Sequence, residues 1–304
     1  MISSSLSTSF ARALQAAHDA AGAQQHPTHT LYVVATPIGN LADISLRALH
    51  MLGLADAIAC EDTRHTRQML GTFGLERSGP ALLAVHQHNE AEAAQTVVQR
   101  LSQGQRVAYV SDAGTPAISD PGARLVQAVR AAGFRVMPLP GASSITTLLS
   151  AAGMTGEGFV FRGFLPSKTN ERDQAIQTIA QEHRAVVLLE APHRMGALAA
   201  ALAVLGDRPI TLGRELTKQF EQIATLPANG LSAWLQERPE HQRGEFVLVV
   251  HDQAVPAARG EGERILRCLL AELPVKTAVK LAAEISGEPR NALYERALEM
   301  KNSD

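Results

Sequence analysis

The stretch that most constrains the fold runs from Val107 to Gly122 and reads VAYVSDAGTPAISDPG. Its first four residues are wholly apolar, as expected for a strand buried in a parallel sheet. The chain then enters a loop of small residues, Ala113–Pro116, before a helical pattern begins. Open α/β sheets bind ligands at the carboxyl ends of their strands, where small residues let a ligand approach the backbone. The stretch predicts either a ligand-binding loop or an ordinary connection between a strand and a helix.

The same order of strand, loop and helix recurs through the first half of the chain. A polar or glycine-rich loop and a helical pattern follow each predicted strand, at 31–35, 57–60, 82–85, 107–110 and 135–139. This repetition predicts a doubly wound parallel sheet with a ligand crevice along one edge. The sequence lacks the G-x-G-x-x-G spacing of dinucleotide folds and the lysine of a P-loop, which disfavours both of those classes.

The second half predicts another α/β domain, with a mixed sheet, and then a small helical C-terminal appendix. Its predicted strands are 159–161, 185–189, 210–212 and 245–250. Two short helices around Ser286–Gly287 resemble a helix-turn-helix, or else form an appendix that packs on the body or on a partner. The predicted organisation is a flexible extension (1–29), an N-terminal α/β domain (30–153), a C-terminal α/β domain (154–252), and a linker with the helical appendix (253–304).

Composition narrows the classes of function. The 304 residues carry a net charge of −2, so no strong basic excess predicts a non-specific nucleic-acid binder. No apolar run approaches the ~18 residues of a membrane span, and two cysteines cannot form a disulfide framework. We therefore expect a cytoplasmic protein without a membrane partner. His86 and His88 lack further ligands at metal-binding spacing, so we also expect no metal site.

Polar loops that follow predicted strands supply the candidate site residues. In the loop after the second strand, Asp62 or Thr63 is either the cap of a solvated helix or part of a substrate loop. In the second interpretation Arg64 and Arg67 bind phosphate, and Asp62 or His65 forms hydrogen bonds or transfers a proton. Basic residues also recur after strands of the second half, which predicts either an anion-facing wall or scattered surface charge: Arg162, Lys168, His193, Arg194, Arg214 and Lys218.

Ten segments together resemble one known family. They are TPIGNLADIS (36–45), EDTRHT (61–66), HNE (88–90), VSDAGTPAISDPG (110–122), PLPGASS (138–144), GFLPSK (163–168), EAPHR (190–194), RELTK (214–218), GEFVLVV (244–250) and NALYERAL (291–298). This set resembles the tetrapyrrole methylase superfamily of S-adenosylmethionine-dependent enzymes, and within it the 16S rRNA (cytidine 2′-O)-methyltransferase I family. The resemblance covers residues 30–302.

The resemblance implies two α/β domains, a homodimer, and S-adenosylmethionine bound in the cleft between the domains. It implies 2′-O-methylation of a cytidine in the decoding centre of 16S rRNA, within the small ribosomal subunit. The implied cofactor-binding residues are Pro37, Gly39, Asp112, Ala113, Gly114, Thr115, Ile118, Ala142, Ser143 and Leu189.

A ribose hydroxyl is a poor nucleophile unless a base removes its proton. Three residues at predicted strand ends are candidates for this base: Asp62, Glu190 and His193. Asp62 is favoured among them because its loop also carries Arg64 and Arg67. The predicted substrate-binding residues are Arg64, Arg67, Arg162, Lys168, Arg194, Arg214 and Lys218. Two alternatives stay open, namely a C-methyltransferase that acts on a tetrapyrrole and a non-catalytic module that binds the ribosome.

Overall fold

The computed structural model describes residues 3–75, 81–86, 89–156, 158–253 and 261–302. Its strands are β1 Thr30–Val34, β2 Ala57–Cys60, β3 Ala81–Ala84, β4 Arg106–Val110, β5 Arg135–Leu139, β6 Phe159–Phe164, β7 Ala185–Glu190, β8 Pro209–Arg214, β9 Gln222–Pro227 and β10 Phe246–Val250. Its α-helices are α1 Ser3–Ala21, α2 Leu46–Leu54, α3 Thr63–Thr72, α4 Glu90–Ser102, α5 Ala123–Ala131, α6 Ser144–Ala151, α7 Thr169–Gln181, α8 Pro192–Leu202, α9 Leu231–Glu237, α10 Glu261–Leu270, α11 Val275–Ser286 and α12 Arg290–Asn302. None of the helices in these ranges has both the length and the apolar character that crossing a bilayer requires.

The first sheet is parallel throughout, as the repeated pattern predicts. Its strand order is β3-β2-β4-β1-β5, so β4 and β1 lie at the centre. Both central strands are buried along almost their whole length, which explains why they read as continuous apolar runs. Since all five strands point the same way, the loops that follow them meet at one edge of the sheet.

The second sheet is mixed, as predicted, with the order β6-β7-β10-β8-β9. Strands β6 and β7 are parallel, whereas β10 runs antiparallel to both of its neighbours and β8 pairs antiparallel with β9. Strand β9 was not predicted from the sequence. It lies at the edge, where its burial alternates along the strand.

Helix α6 joins the two sheets. It follows the last strand of the first sheet, yet its Leu148 is fully buried in an apolar cluster with Val187 and Val249 of the second sheet. A Cβ on Gly213 of β8 would lie only 2.8 Å from Leu148 Cδ1, so glycine at this position permits the close approach. Both sheets belong to one compact unit, while residues 181–184 and the chain from 252 onward form another.

Much of the segment predicted as a flexible extension, 1–29, is helical in the structure. Helix α1 packs on helices α2 and α3, and its Ala17 and Ala21 are fully buried. The ring of Phe10 meets the buried ring of Phe73 edge to face, with centroids 5.0 Å apart. After the helix, Tyr32 Oη donates to Pro27 O at 2.8 Å. Ala17 and Ala21 thus pack inside the protein, although the segment looks like a disordered tail in the sequence.

Replacing Phe10 with alanine tests this packing. We expect the free energy of unfolding to fall by about 2 kcal/mol, because an aromatic pair and a half-buried ring are both lost. Gln15→Ala on the exposed face of α1 is the control and is expected to change stability by less than about 0.5 kcal/mol. Equal effects of the two substitutions in chemical denaturation would show that α1 does not support the fold.

The second compact unit contains helices α10, α11 and α12 around a small core of its own. Gly287, with φ of 71°, ends α11, and α12 begins three residues later. Glu288 in this turn is buried and accepts from Gly262 N at 3.1 Å and from Arg296 Nη1 at 2.6 Å. The turn between α11 and α12 is therefore fixed by a paired, buried carboxylate. Most of the predicted linker, 254–260, lies outside the described residues.

Candidate functional site

A cleft lies between the carboxyl ends of the strands of the first sheet and the ends of β7 and β10 in the second. Its floor is the loop after β4, and one wall is the start of α6 together with Ile38, which follows β1. Leu189 of β7 and Glu245, just before β10, form the opposite wall. The complete lining is Ile38, Ala113, Gly114, Thr115, Ile118, Ser119, Asp120, Ser143, Ser144, Ile145, Leu189 and Glu245. This is the place where open α/β sheets bind ligands.

Hydrogen bonds tie the loops of the cleft to each other. Thr36 and Gly114 exchange two backbone hydrogen bonds of 2.9 and 3.0 Å, which join the loops after β1 and β4. Thr115 Oγ1 donates to Ala142 O at 3.1 Å, and so joins the β4 loop to the one after β5. These bonds hold the floor in place without a bulky side chain above it.

The cleft is narrow in this state. Its volume is about 90 Å³, whereas small-molecule sites commonly occupy roughly 300–1,000 Å³. Ile118, which is 52% exposed, stands at its mouth.

The structure brings together six of the ten residues predicted to bind a cofactor. Those that line the cleft are Ala113, Gly114, Thr115, Ile118, Ser143 and Leu189. The other four lie beside it: Pro37 is buried next to Ile38, Gly39 packs on Lys218, and Ala142 accepts the bond from Thr115. Asp112 Oδ1 instead accepts from Asp62 N at 3.2 Å.

Glu90 fixes the far end of the floor loop. Its side chain comes from α4, yet Oε1 accepts from the backbone N–H groups of Gly122, Arg124 and Leu125 at 2.9, 2.8 and 3.3 Å. These N–H groups are at the start of α5, where a helix has unpaired donors and a partial positive charge. Gly122 has φ of 125°, and a Cβ there would collide with the ring of Tyr109. The glutamate of the HNE segment thus has a structural role, while His88 lies outside the described residues.

A half-buried carboxylate, Asp120, faces the cleft and was not among the predicted site residues. Burial and the charge of Asp112 raise its pKa above the ordinary value, against a hydrogen bond from Ser111 that lowers it. Burial, with Asp112 and Asp120, also raises the pKa of Glu61 in the neighbouring loop. The sequence shows Asp120 within Asp-Pro-Gly, which is a turn signal, so nothing local distinguishes it from an ordinary turn residue.

Asp62, a predicted base, serves as the N-cap of α3. Its Oδ1 accepts from Arg64 N at 2.7 Å and from His65 N at 3.4 Å, and its Oδ2 pairs with Arg64 Nη2 at 3.0 Å. The hydrogen bonds from Arg64 lower the pKa of Asp62 to about 2. A carboxylate so weakly basic is poorly suited to remove a proton at neutral pH.

The other two predicted bases face elsewhere. Glu190 is buried at the end of β7, where its Oε1 accepts from Ala191 N at 2.9 Å and from Arg194 Nε at 3.1 Å. His193 lines a different cavity, between α8 and α9, with Leu235. Neither residue is part of the cleft lining.

Most of the predicted substrate-binding cations have partners inside the protein. Arg194 also donates to Leu165 O, and Lys168 pairs with Glu171 at 3.0 Å. Lys218 lies between Glu215 and Glu245, at 2.9 and 3.1 Å. Burial opposes the charge on Lys218, but its two glutamate hydrogen bonds prevail and raise its pKa. Arg67 on α3 and Arg162 on β6 are exposed.

Backbone strain concentrates at these loops. Four non-glycine residues of the described chain have φ in the left-handed region, and three of them lie here: Ala117 of the floor loop, Glu215 and Thr217. The latter two belong to RELTK, where Thr217 Oγ1 accepts from Asn40 N at 3.1 Å across the gap between the sheets. Such conformations cost of order 1–3 kcal/mol each and cluster at functional sites.

The fold and the cleft define a class of protein that sequence comparison identifies. The family model for tetrapyrrole (corrin/porphyrin) methylases matches residues 30–231, two thirds of the chain, and the chain belongs to this family. A second model, described as the RsmI C-terminal HTH domain, matches residues 256–301.

The chain is also similar to particular members. It is 47% identical over 278 residues to the ribosomal RNA small subunit methyltransferase I of Escherichia coli O157:H7, covering 89% of this chain and 95% of that protein. It is 46% identical over 277 residues to the protein of the same name from Neisseria meningitidis serogroup B, covering 90% and 94%. These matches confirm the resemblance stated from the motifs.

Solved structures agree on the fold. The methyltransferase CobJ aligns with a TM-score of 0.55 at 18% identity, covering 74% of this chain and 96% of that chain. A cobalt precorrin-4 methyltransferase aligns at 0.54 and 16%, covering 73% and 94%. The uroporphyrin-III C-methyltransferase of Thermus thermophilus, complexed with S-adenyl homocysteine, aligns at 0.50 and 17%, covering 72% and 96%. At such identities the likeness establishes the fold alone.

Proposed function

We propose that this chain transfers a methyl group from S-adenosylmethionine to the 2′-hydroxyl of a cytidine in the decoding centre of 16S rRNA. The substrate in this proposal is the small ribosomal subunit, and the working form is a homodimer. The observation that carries the proposal is the likeness to ribosomal RNA small subunit methyltransferase I proteins over about nine-tenths of the chain. The choice of the ribose oxygen rests on the motif resemblance.

The residues of the cleft suit such a methyl donor. Bound S-adenosylmethionine supplies an electrophilic methyl group on a positively charged sulfur. Ala113 and Gly114 leave the backbone of the floor open to close approach, and Ser143 adds a hydroxyl at the start of α6.

Asp120 is the residue that we assign to the proton. In this assignment its carboxylate would accept the proton of the ribose hydroxyl as the oxygen takes the methyl group, the sulfur–methyl bond would break, and S-adenosylhomocysteine would be released. A carboxylate that is a stronger base than usual is better suited to this role. Asp120 lies in the cleft, unlike Asp62, Glu190 and His193. Positioning of the two reactants by the walls of the cleft supplies the rest of the rate.

The decisive test is methyl transfer from labelled S-adenosylmethionine to small ribosomal subunits from cells that lack this protein. We expect one labelled nucleotide, with the methyl group on the ribose of a decoding-centre cytidine. Label on a base would contradict the assigned atom while keeping rRNA as the substrate. Transfer to a tetrapyrrole but not to rRNA would refute the substrate. Failure to bind S-adenosylmethionine would leave the alternative of a non-catalytic ribosome-binding module.

A further inference from the structure

A second cavity, here called the arginine pocket, lies beside the cleft on the second α/β half. Its volume is about 540 Å³, within the usual range for ligand sites. The end of β8, the segment that leads into β9, and the segment before β10 enclose it. The residues that matter to its chemistry are Arg214, Phe220, Glu221, Arg238, Glu240 and Arg243.

Arg214 is the built-in cation of this pocket. The residue is only 6% exposed. Its guanidinium donors form hydrogen bonds to both walls of the pocket. Nε donates to Arg243 O at 2.7 Å, and Nη1 donates to Phe220 O at 3.1 Å and to Gln222 Oε1 at 3.0 Å. Within the described residues, the two donors on Nη2 have no hydrogen-bond partner and no carboxylate pairs with the guanidinium. A buried guanidinium that lines a cavity with donors to spare favours an anion there.

The rest of the pocket reinforces that preference. Arg238 and Arg243 are exposed on the same wall, so three guanidinium groups face two carboxylates. One of these carboxylates, Glu221, accepts a hydrogen bond from Thr217 N at 2.6 Å. Arginine favours phosphate because its planar fork of donors matches phosphate oxygens.

Phe220 adds an aromatic surface to this anion site. Phe220 is 68% exposed, more than any other large apolar residue in the described part of the chain. An aromatic face next to guanidinium groups matches a single-stranded nucleotide, which presents a flat base and a phosphate together.

The arginine pocket and the cleft share one wall. Arg243 faces the pocket and Glu245 lines the cleft, with only Gly244 between them. Gly244 has φ of 90°, and a Cβ there would lie 2.5 Å from the Glu215 side chain, which in turn accepts from Glu245 N at 3.0 Å. The wall is therefore fixed, and the two cavities lie back to back.

We propose that the arginine pocket binds a nucleotide of rRNA next to the one that is methylated, with its phosphate on Arg214 and Arg243 and its base stacked on Phe220. This inference rests on the proposed function, since it takes rRNA as the ligand. In this proposal the second α/β half binds the RNA that flanks the methylated nucleotide, at a wall that also borders the cleft.

The experiment measures binding of the full-length protein to small ribosomal subunits at several salt concentrations, separately from methyl transfer. Phe220→Ala and Arg243→Gln each remove a side chain but keep the carbonyl that Arg214 needs. We expect each to weaken binding about ten-fold. Only Arg243→Gln is expected to reduce the slope of log affinity against log salt, by about 1, because it removes one phosphate contact.

Matched controls carry equivalent changes at other exposed positions. Phe159→Ala, at the start of β6, and Arg135→Gln, at the start of β5, are expected to bind as the unaltered protein does. Binding of S-adenosylmethionine, measured by calorimetry, is expected to be unchanged in all four variants, which shows that they are folded.

The outcomes separate this inference from the proposed function. Unaltered binding by Phe220→Ala and Arg243→Gln, or no binding by the unaltered protein, would overturn the inference. Loss of affinity for intact subunits but not for deproteinised 16S rRNA would also overturn it, because the partner would then be a ribosomal protein. Weakened binding in an enzyme that fails to methylate rRNA would instead support the pocket and refute the proposed reaction.

Discussion

Replacing Asp120 with asparagine is expected to lower the rate of methyl transfer to small ribosomal subunits by about 10²- to 10⁴-fold, the usual worth of a positioned general base. Asparagine keeps the size of the side chain and its place in the cleft, but it cannot accept the proton. We therefore expect kcat to fall while KM and the affinity for S-adenosylmethionine change little. Single-turnover kinetics and calorimetry measure these quantities separately.

The same variant is expected to be more stable than the unaltered protein at neutral pH. Burial and Asp112 raise the pKa of Asp120 in the folded protein above the ordinary value that it has in the unfolded chain. The protein therefore loses stability as pH rises from the unfolded-state pKa through the folded-state pKa. Asparagine carries no charge, so the variant does not lose this stability as pH rises. A higher melting temperature together with a lower kcat would distinguish a functional carboxylate from a structural one. A lower melting temperature would mean that Asp120 supports the fold.

Asp62→Asn is the matched comparison. Asparagine is also a good N-cap, so α3 is expected to keep its start and turnover to change little. If turnover depended on Asp62 and not on Asp120, the assignment of the proton acceptor would be wrong.

Replacing Glu90 with alanine is expected to lower the free energy of unfolding by about 3 kcal/mol. Three backbone N–H groups at the start of α5 lose a charged acceptor, and leaving buried donors unpaired costs roughly 1–3 kcal/mol each. Because these donors end the floor loop of the cleft, affinity for S-adenosylmethionine is expected to fall as well. Chemical denaturation and calorimetry measure the two effects.

Glu92→Ala controls for charge at the same helix end. Glu90 and Glu92 both lie in the first turn of α4, where Glu90 is buried and Glu92 is exposed. Both substitutions therefore remove a favourable charge near that helix terminus. We expect Glu92→Ala to cost about 0.5 kcal/mol. Similar losses for both variants would show that Glu90 acts through its own helix and does not fix α5.

The central strands could be predicted, because a strand that is buried on both faces leaves a continuous apolar run in the sequence. Strands β1, β2 and β4 are buried on both faces and read as unbroken apolar runs. Strand β9 lies at an edge, where Gln222 faces inward and Ile223 is 43% exposed, so the expected alternation is obscured. Helix α1 is rich in small residues that resemble a disordered tail until a surface is available for them to pack against.

Side-chain roles were harder to predict, because the sequence does not show what a charged group faces. Lys218 and Arg194 follow strands, as the pattern of basic residues indicated, whereas Arg214 is the last residue of β8. The first two are held by carboxylates, and only Arg214 keeps donors that face a cavity. Asp62 looked suited to catalysis because of its charged neighbours, yet Arg64 makes it a weaker base. Whether a charged side chain has an ion-pair partner decides its role. The distance to that partner cannot be read from the local sequence.

The position of α6 has a consequence for how the protein folds. Leu148 belongs to the N-terminal half of the chain but is buried against the second sheet. A fragment that ends at residue 153 would leave this leucine and the neighbouring Ile38 in water, and a fragment that begins at 154 would lack the helix that covers its sheet. The two α/β halves are therefore separate in sequence but share one apolar cluster, and we expect each half to lose stability without the other.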